Sequence, residues 1–349
     1  MSISSSPVDA NHVHAGSPPD SGSLHHGPQP PRHPASLLEA ISTSRKGGKT
    51  QVEYVERGRQ EQTKFGFLLE TMVVRGEEEA FNAEEEEGNA HTSAAKEAAG
   101  YAVAWRDDEL SWSLLVERAR LGGPGLLVNK RGLGRKRLLV ECPHTFFDAK
   151  TLDVGLALFE SCSALALLYN TVHRGDVKDG AVGEDVATAS RSGGLATDMA
   201  HNRESLFQTA HESLLRCGDA LGGKIVTVQV HGFRDEFLPE ADVVVSGAST
   251  PAVDWVPTMA RHLRAAFPDM RVLHSPTETP KLTAARNVQG QLCRERGLPF
   301  FHIEICKTWR WRLTVDSEGD SAPGHSKTSL QAFCSAVGNC VDEVLSGAS

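Results

Sequence analysis

The sequence lacks any CxxC pair. Its seven cysteines, Cys142, Cys162, Cys217, Cys293, Cys306, Cys334 and Cys340, are odd in number and scattered over 349 residues. That pattern argues against a disulfide framework and for a reducing compartment, with the cytoplasm as the expected location. No apolar run approaches the roughly 20 residues of a membrane span. Residues 1–34 have no apolar core of the kind a secretory signal carries, and Asp9, Asp20 and the scarcity of Arg speak against an organellar transit peptide. A basic surplus is also missing. The net charge of −9 disfavours broad, sequence-independent binding of nucleic acid, which needs a basic surface. Neither nucleic acid nor a membrane is therefore expected as a partner. A small-molecule or peptide substrate is, and the oligomeric state is not legible.

What is present is an ordinary soluble composition, 40% hydrophobic and 23% charged, with ample material for a core. Residues 1–35, rich in Ser, Pro, Gly and His, read as a disordered leader. Ser36–Ser44 suggests a short helix and Lys64–Val74 (KFGFLLETMVV) a strand. The acidic run EEEAFNAEEEE, within an expected mobile loop over residues 77–90, repels itself and offers nothing to pack. Tyr101–Trp105 reads as a strand that would pair with Lys64–Val74 across that loop, and Leu114–Leu121 as a short helix. Residues 36–125 are expected to form a small N-terminal α+β appendage.

From residue 126 to 349 the texture changes. Short apolar runs, RLLVEC (137–142), LALLYN (165–170), KIVTVQV (224–230), DVVVS (242–246), RVL (271–273) and FFHIEI (300–305), alternate with helical stretches. Thr151 is placed to cap the helix LDVGLALFESCSAL, and helices are expected over Glu204–Leu215, Val256–Ala266, Ala284–Glu295 and Ser329–Leu345. This alternation predicts an α/β three-layer sandwich around a mostly parallel, mixed sheet.

In open α/β sheets ligands bind beyond the carboxyl ends of the strands. RLLVEC is followed by Pro143, His144 and, four residues on, Asp148. LALLYN is followed by His173 and Arg174, KIVTVQV by His231, and RVL by His274. The last strand carries His302 and Glu304 within it. Histidine thus gathers at one rim of the sheet more densely than 15 in 349 residues would scatter. Two ligands from one loop, His144 and Asp148, with a third from a distant strand end, His231, is a common plan for a catalytic divalent metal. Imidazole and carboxylate without thiolate make one zinc ion per chain the expected cofactor. Such an ion lowers the pKa of its water toward 7. On the strand HIEI, His302, Glu304 and Cys306 share one face. A carboxylate between isoleucines is costly without a purpose. General base is the purpose expected of Glu304, a structural pairing with Arg310 or Arg312 being the plainer alternative. Arg203 and Arg174 compete to grip a substrate carboxylate or stabilise an oxyanion. His201, Asn202, Asn287 and Gln289 are candidate substrate contacts. The basic stretch Lys130–Arg137 resembles a phosphate grip, but a solvated loop is the simpler reading.

The segments PHTFFDAKT, VQVHGF and HIEI, in that order, resemble the family of N-formylglutamate amidohydrolases and bacterial poly-γ-glutamate hydrolases, related in fold to the zinc carboxypeptidases. The resemblance covers residues 137–313 and not the N-terminal third. It implies a phosphorylase/hydrolase-like α/β sandwich and a zinc-dependent hydrolase of C–N amide bonds. His144, Asp148 and His231 would be the ligands and Glu304 the base. In zinc carboxypeptidases a His and a Glu stand three apart, whereas His144 and Asp148 stand four apart. The substrate would be a small carboxylate-bearing amide of the N-acyl amino acid or γ-glutamyl type. Two rivals keep the fold: an inactive binding or scaffold protein, and a phosphate-ester hydrolase.

Overall fold

The computed structural model describes residues 57–75, 100–107, 112–117, 122–129, 136–174, 196–249, 253–315 and 325–347. The chain divides into residues 1–46 and 47–349, and every described residue lies in the second unit. The expected leader, the short helix at Ser36–Ser44 and the acidic loop fall outside the described residues.

The described strands are β1 (Tyr101–Asp107), β2 (Trp112–Glu117), β3 (Gly125–Asn129), β4 (Lys136–Cys142), β5 (Ala164–Tyr169), β6 (Val226–Phe233), β7 (Val243–Ser246), β8 (Val272–His274) and β9 (Phe300–Cys306). They form one mixed sheet in the order β1-β2-β3-β5-β4-β6-β9-β7-β8. Its centre, β5-β4-β6-β9, is parallel. On one side β3, β2 and β1 continue it antiparallel; on the other, β7 runs antiparallel to β9 and carries β8 in parallel.

Seven described helices cover the sheet: α1 (Arg59–Val74), α2 (Thr151–Ser161), α3 (Leu206–Arg216), α4 (Trp255–Ala266), α5 (Val288–Glu295), α6 (Lys307–Thr314) and α7 (His325–Ser346). α7 packs on α2, α4 and α6 to make one layer, and α3 packs on α1 and α5 to make the other. The central strands are thus covered on both faces, which is why they read as near-continuous apolar runs. The architecture is the α/β sandwich the alternation predicts.

Several local expectations give way. Lys64–Val74 is helix, not strand. Phe65, Leu68, Leu69 and Met72 stand at i, i+3, i+4 and i+7 and are all buried, a helical stripe that outweighs the β-prone ending MVV. Tyr101–Trp105 is a strand, but its partner is β2, not Lys64–Val74. The helix expected from Leu114 is strand β2 up to Glu117, held between β1 and β3. Thr151 is the first residue of α2 rather than its cap. Lys150 takes the cap position at φ 74°, and Thr151 Oγ1 donates to the Asp148 carbonyl at 2.8 Å. α5 begins at Val288 with Asn287 as its cap, not at Ala284. The division expected near residue 125 does not interrupt the sheet, since β1 and β2 extend it. Phe65, Leu68 and Leu69 join Leu139, Leu168 and Phe207 in one hydrophobic cluster.

The parallel register sets up the site. Glu141 on β4 pairs with Gln229 on β6, Gln229 pairs with His302 on β9, and two residues further along His231 pairs with Glu304. Paired residues in neighbouring strands share a face. The register therefore brings five buried polar side chains to the α3/α5 face of the sheet near the carboxyl ends of its central strands.

Candidate functional site

The loop leaving β4 makes a single turn of helix. The backbone N–H of Asp148 donates to the His144 carbonyl at 2.8 Å, which places residues i and i+4 on one side. The four-residue spacing is therefore the spacing a helical turn requires. Asp148 is fixed further by the Gly232 N–H, which donates to its Oδ2 at 3.1 Å. Gly232 itself permits a close approach: a Cβ there would meet the Arg310 guanidinium at 1.8 Å. Arg310 donates to the carbonyls of Ala149, Phe233 and Ile305, tying together the chain beyond β4, β6 and β9.

His144, Asp148 and His231 are all buried and their donor atoms converge. His144 Nδ1 lies 3.3 Å from Asp148 Oδ2 and 3.0 Å from His231 Nδ1, and His231 Nδ1 lies 3.7 Å from Asp148 Oδ2. Zinc bonds of about 2.0–2.2 Å in a tetrahedron place donors about 3.3 Å apart, so the three atoms outline one face of such a site. The opposite ring nitrogens are both engaged. His144 Nε2 is 2.9 Å from Asp198 Oδ1, and His231 Nε2 is 2.7 Å from Gln229 Oε1. Anchoring the outer nitrogen and presenting the inner one is how ligating imidazoles are oriented. The residues fit a divalent ion with one position left over.

Electrostatics separate the two imidazoles. Burial lowers the pKa of His144, but Asp148 and Asp198 outweigh it and hold the ring above its usual value. Burial, with His302 and His144 alongside, holds His231 well below. Burial would raise Asp198, yet its bonds to His144 and His201 keep it well below the ordinary carboxylate range. Glu304 is pushed up to about 8, by burial first and then by Asp148. Its Oε1 is 3.6 Å from His302 Nε2, while Oε2 is buried with no hydrogen-bond partner. An unpaired buried carboxylate oxygen is expensive, and here it belongs to a residue lining the same cleft of about 190 Å³ as the three donors. The structural pairing considered for Glu304 is not made: Arg310 donates to backbone carbonyls and Arg312 lies 3.6 Å from Asp269.

No family model matches the sequence, and comparison with curated proteins finds no match. Among solved structures the chain is similar to gene product Atu2144 from Agrobacterium tumefaciens, at 14% identity over 65% of this chain and 95% of that one, with a TM-score of 0.42. It is similar to a bacteriophage poly-γ-glutamate hydrolase, at 13% identity over 61% of this chain and 87% of that one, TM-score 0.34. It is also similar to a metallo-carboxypeptidase from Burkholderia cenocepacia, at 9% identity over 74% and 70% of the two chains, TM-score 0.38.

The other residues singled out from the sequence divide. Arg174, His201 and Asn287 line the cleft. Arg174 donates to Asp198 Oδ2 at 2.7 Å and stacks over Phe147, which is half exposed at the same cleft. Arg203 does not line it and donates to Gln291 on the surface. Asn202 is buried in its own loop, with Nδ2 on the Ala196 carbonyl and Oδ1 on the Glu204 N–H. Gln289 lies behind the cleft, donating to the Met199 carbonyl and Gln208. Among the strand-end histidines, His302 faces the site, His173 packs on Phe147, and His274 lies 3.5 Å from Glu278 of its own loop. In the basic stretch, residues 130–135 lie outside the described residues; Lys136 pairs with Asp342, and Arg137 donates to the Gly222 carbonyl.

Two residues of the site, Asp198 in the segment TDMAHNRESLF and Gln229, are given no role by the sequence. Asp198 had one usable sign, a carboxylate three residues from His201 ahead of a helix. Gln229 had another, a polar side chain two residues before His231 on the same face of an otherwise apolar strand.

Proposed function

We propose that this protein is a zinc-dependent amidohydrolase that cleaves an amide or peptide bond in a small carboxylate-bearing substrate, of the N-acyl amino acid or γ-glutamyl type. The observation that carries the reading is the convergence of His144 Nδ1, His231 Nδ1 and Asp148 Oδ2 beside the unpaired Glu304 Oε2 in one cleft.

His144, Asp148 and His231 would hold one zinc per chain, which would supply Lewis acidity and lower the pKa of a water toward neutrality. The remaining roles belong to the chain. Glu304 accepts a proton from the attacking water and returns it to the leaving nitrogen. Its unpaired oxygen is the acceptor for that transfer. Arg174 spends one N–H on Asp198 and directs others to the substrate carboxylate, where a planar guanidinium gives bidentate recognition. Asp198 thereby couples the orientation of His144 to that of the substrate-binding Arg. His201 and Asn287 complete the polar lining, and the half-exposed Phe147 adds an apolar face to it.

The test is hydrolysis of a panel of N-acyl amino acids and γ-glutamyl amides by protein loaded with zinc. Release of free amine that stops on chelation and returns with added zinc supports the proposal. Turnover indifferent to chelation would overturn it. A protein that binds zinc and hydrolyses none of the panel would favour the scaffold reading.

A further inference from the structure

Behind His231, away from Asp148, runs a buried chain of polar side chains that the hydrolytic steps do not use. Its first member is Gln229, whose Oε1 lies 2.7 Å from His231 Nε2. A carboxamide has two different ends, and its neighbours decide which one faces the histidine. Glu141, an acceptor only when ionised, lies 2.8 Å from Gln229 Nε2. Asn287 has committed its own oxygen to the Gly290 N–H at 2.9 Å as the cap of α5, so it is the Nδ2 amide that donates to Gln229 Oε1. Gln289 uses its Nε2 on the Met199 carbonyl and on Gln208, leaving its oxygen 3.3 Å from Gln229 Nε2. Turning the Gln229 amide over would set oxygen against oxygen at Glu141 and N–H against N–H at Asn287. Both are buried conflicts without compensation. Glu141 is held in turn by His211 Nδ1 at 2.8 Å. Burial pulls the His211 pKa down, but Glu141 and Cys293 outweigh it and hold the ring above its usual value.

With its oxygen fixed 2.7 Å from His231 Nε2, Gln229 tolerates only an N–H there, because a bare ring nitrogen would set lone pair against lone pair. A neutral imidazole carries one such proton, so Nδ1 is left with a bare lone pair. Nδ1 is the atom that meets His144 Nδ1 and Asp148 Oδ2. We propose that Gln229, locked by Glu141 and Asn287, is a positioning residue that sets the tautomer of His231 and so presents Nδ1 to the metal. This rests on the metal-binding reading of His144, Asp148 and His231.

Ring-nitrogen NMR on the 15N-labelled, metal-free wild-type protein is the first experiment. It is expected to show His231 protonated at Nε2 and bare at Nδ1; a dominant Nδ1–H form overturns the proposal whether or not zinc binds. The second is zinc affinity by chelator competition on three proteins. Gln229→Met keeps the bulk and removes the acceptor, and is expected to weaken zinc by about ten- to a hundredfold. Gln229→Glu presents an acceptor at either end and is expected to bind zinc at least as tightly as wild type. Its metal-free thermal stability should nevertheless fall below that of Gln229→Met, because it buries a second carboxylate beside Glu141. Affinity that simply follows stability across the series, or is unchanged by Gln229→Met, reduces Gln229 to packing and overturns the proposal. A wild-type protein that takes up no zinc yet shows Nε2–H is the signature of failure of the metal-binding reading itself.

Discussion

The antiparallel wing β1-β2-β3 and the parallel centre β4-β6-β9 belong to one sheet and share one hydrophobic cluster, but the centre also buries a set of polar side chains. The wing packs Leu115, Leu126 and Val128 into the cluster that α1 completes with Phe65, Leu68 and Leu69, and Phe65 stacks on Tyr101 at 4.4 Å. The centre buries Glu141, Gln229, His231, His302 and Glu304 on the α3/α5 side. Apolar burial is non-directional and stabilises in proportion to area. Buried polar groups cost free energy unless each is paired. In the centre the pairing is nearly complete, and the orphaned Glu304 oxygen belongs to a residue lining the same cleft as the three donors. The difference teaches that the wing holds the sheet together and the centre holds the donors in place, so the two should fail separately.

The largest separation is expected from Glu304→Gln. Amide hydrolysis should fall by about 10²–10⁴-fold while zinc content stays at the wild-type level. An active Glu304→Gln enzyme would remove Glu304 from the chemistry. In the wing, Phe65→Ala should cost about 3–5 kcal/mol of unfolding free energy, read by denaturant titration, with zinc per folded chain unchanged. Loss of zinc at equal folded fraction would mean that wing and centre are one unit. Returning to the centre, Asp198→Asn should weaken zinc by about ten- to a hundredfold in chelator competition and leave the denaturation midpoint of the metal-free protein far less altered than Phe65→Ala does.

A pH dependence separates the two regions as well. His211 is held up to about 10 in the fold, against about 6.5 in an unfolded chain. A raised folded pKa contributes stability that is complete below the unfolded value and is lost as pH climbs through the folded one. Between about pH 6.5 and 9 the metal-free wild type should therefore lose stability that His211→Gln does not lose. Parallel pH curves for the two proteins would show that the Glu141–His211 pair is not charged.

Much of this was legible because the central strands are short, apolar and bounded by turns, and because the residues after RLLVEC and KIVTVQV carry unusual chemistry. That His144, Asp148 and His231 converge could be anticipated from the rule that ligands gather at carboxyl strand ends, joined to their imidazole and carboxylate chemistry and the family resemblance. The wing was misread where two signals competed. KFGFLLETMVV carries both a helical stripe and a β-prone ending, and WSLLVE reads equally well as either element until its neighbours β1 and β3 are known. Glu141 is out of reach for another reason. It acts through Gln229, 88 residues away, and only the sheet register reveals that the two meet. Arg203 illustrates the converse: a favourable residue type near the right helix start, turned toward Gln291 instead of the cleft.

Elemental analysis of purified protein, beside His144→Ala and His231→Ala, tests the central claim most directly. The account predicts about one zinc per wild-type chain and none in either variant, with both variants folded. Zinc retained in both variants, or a wild-type chain that takes up no zinc when it is supplied, would contradict it.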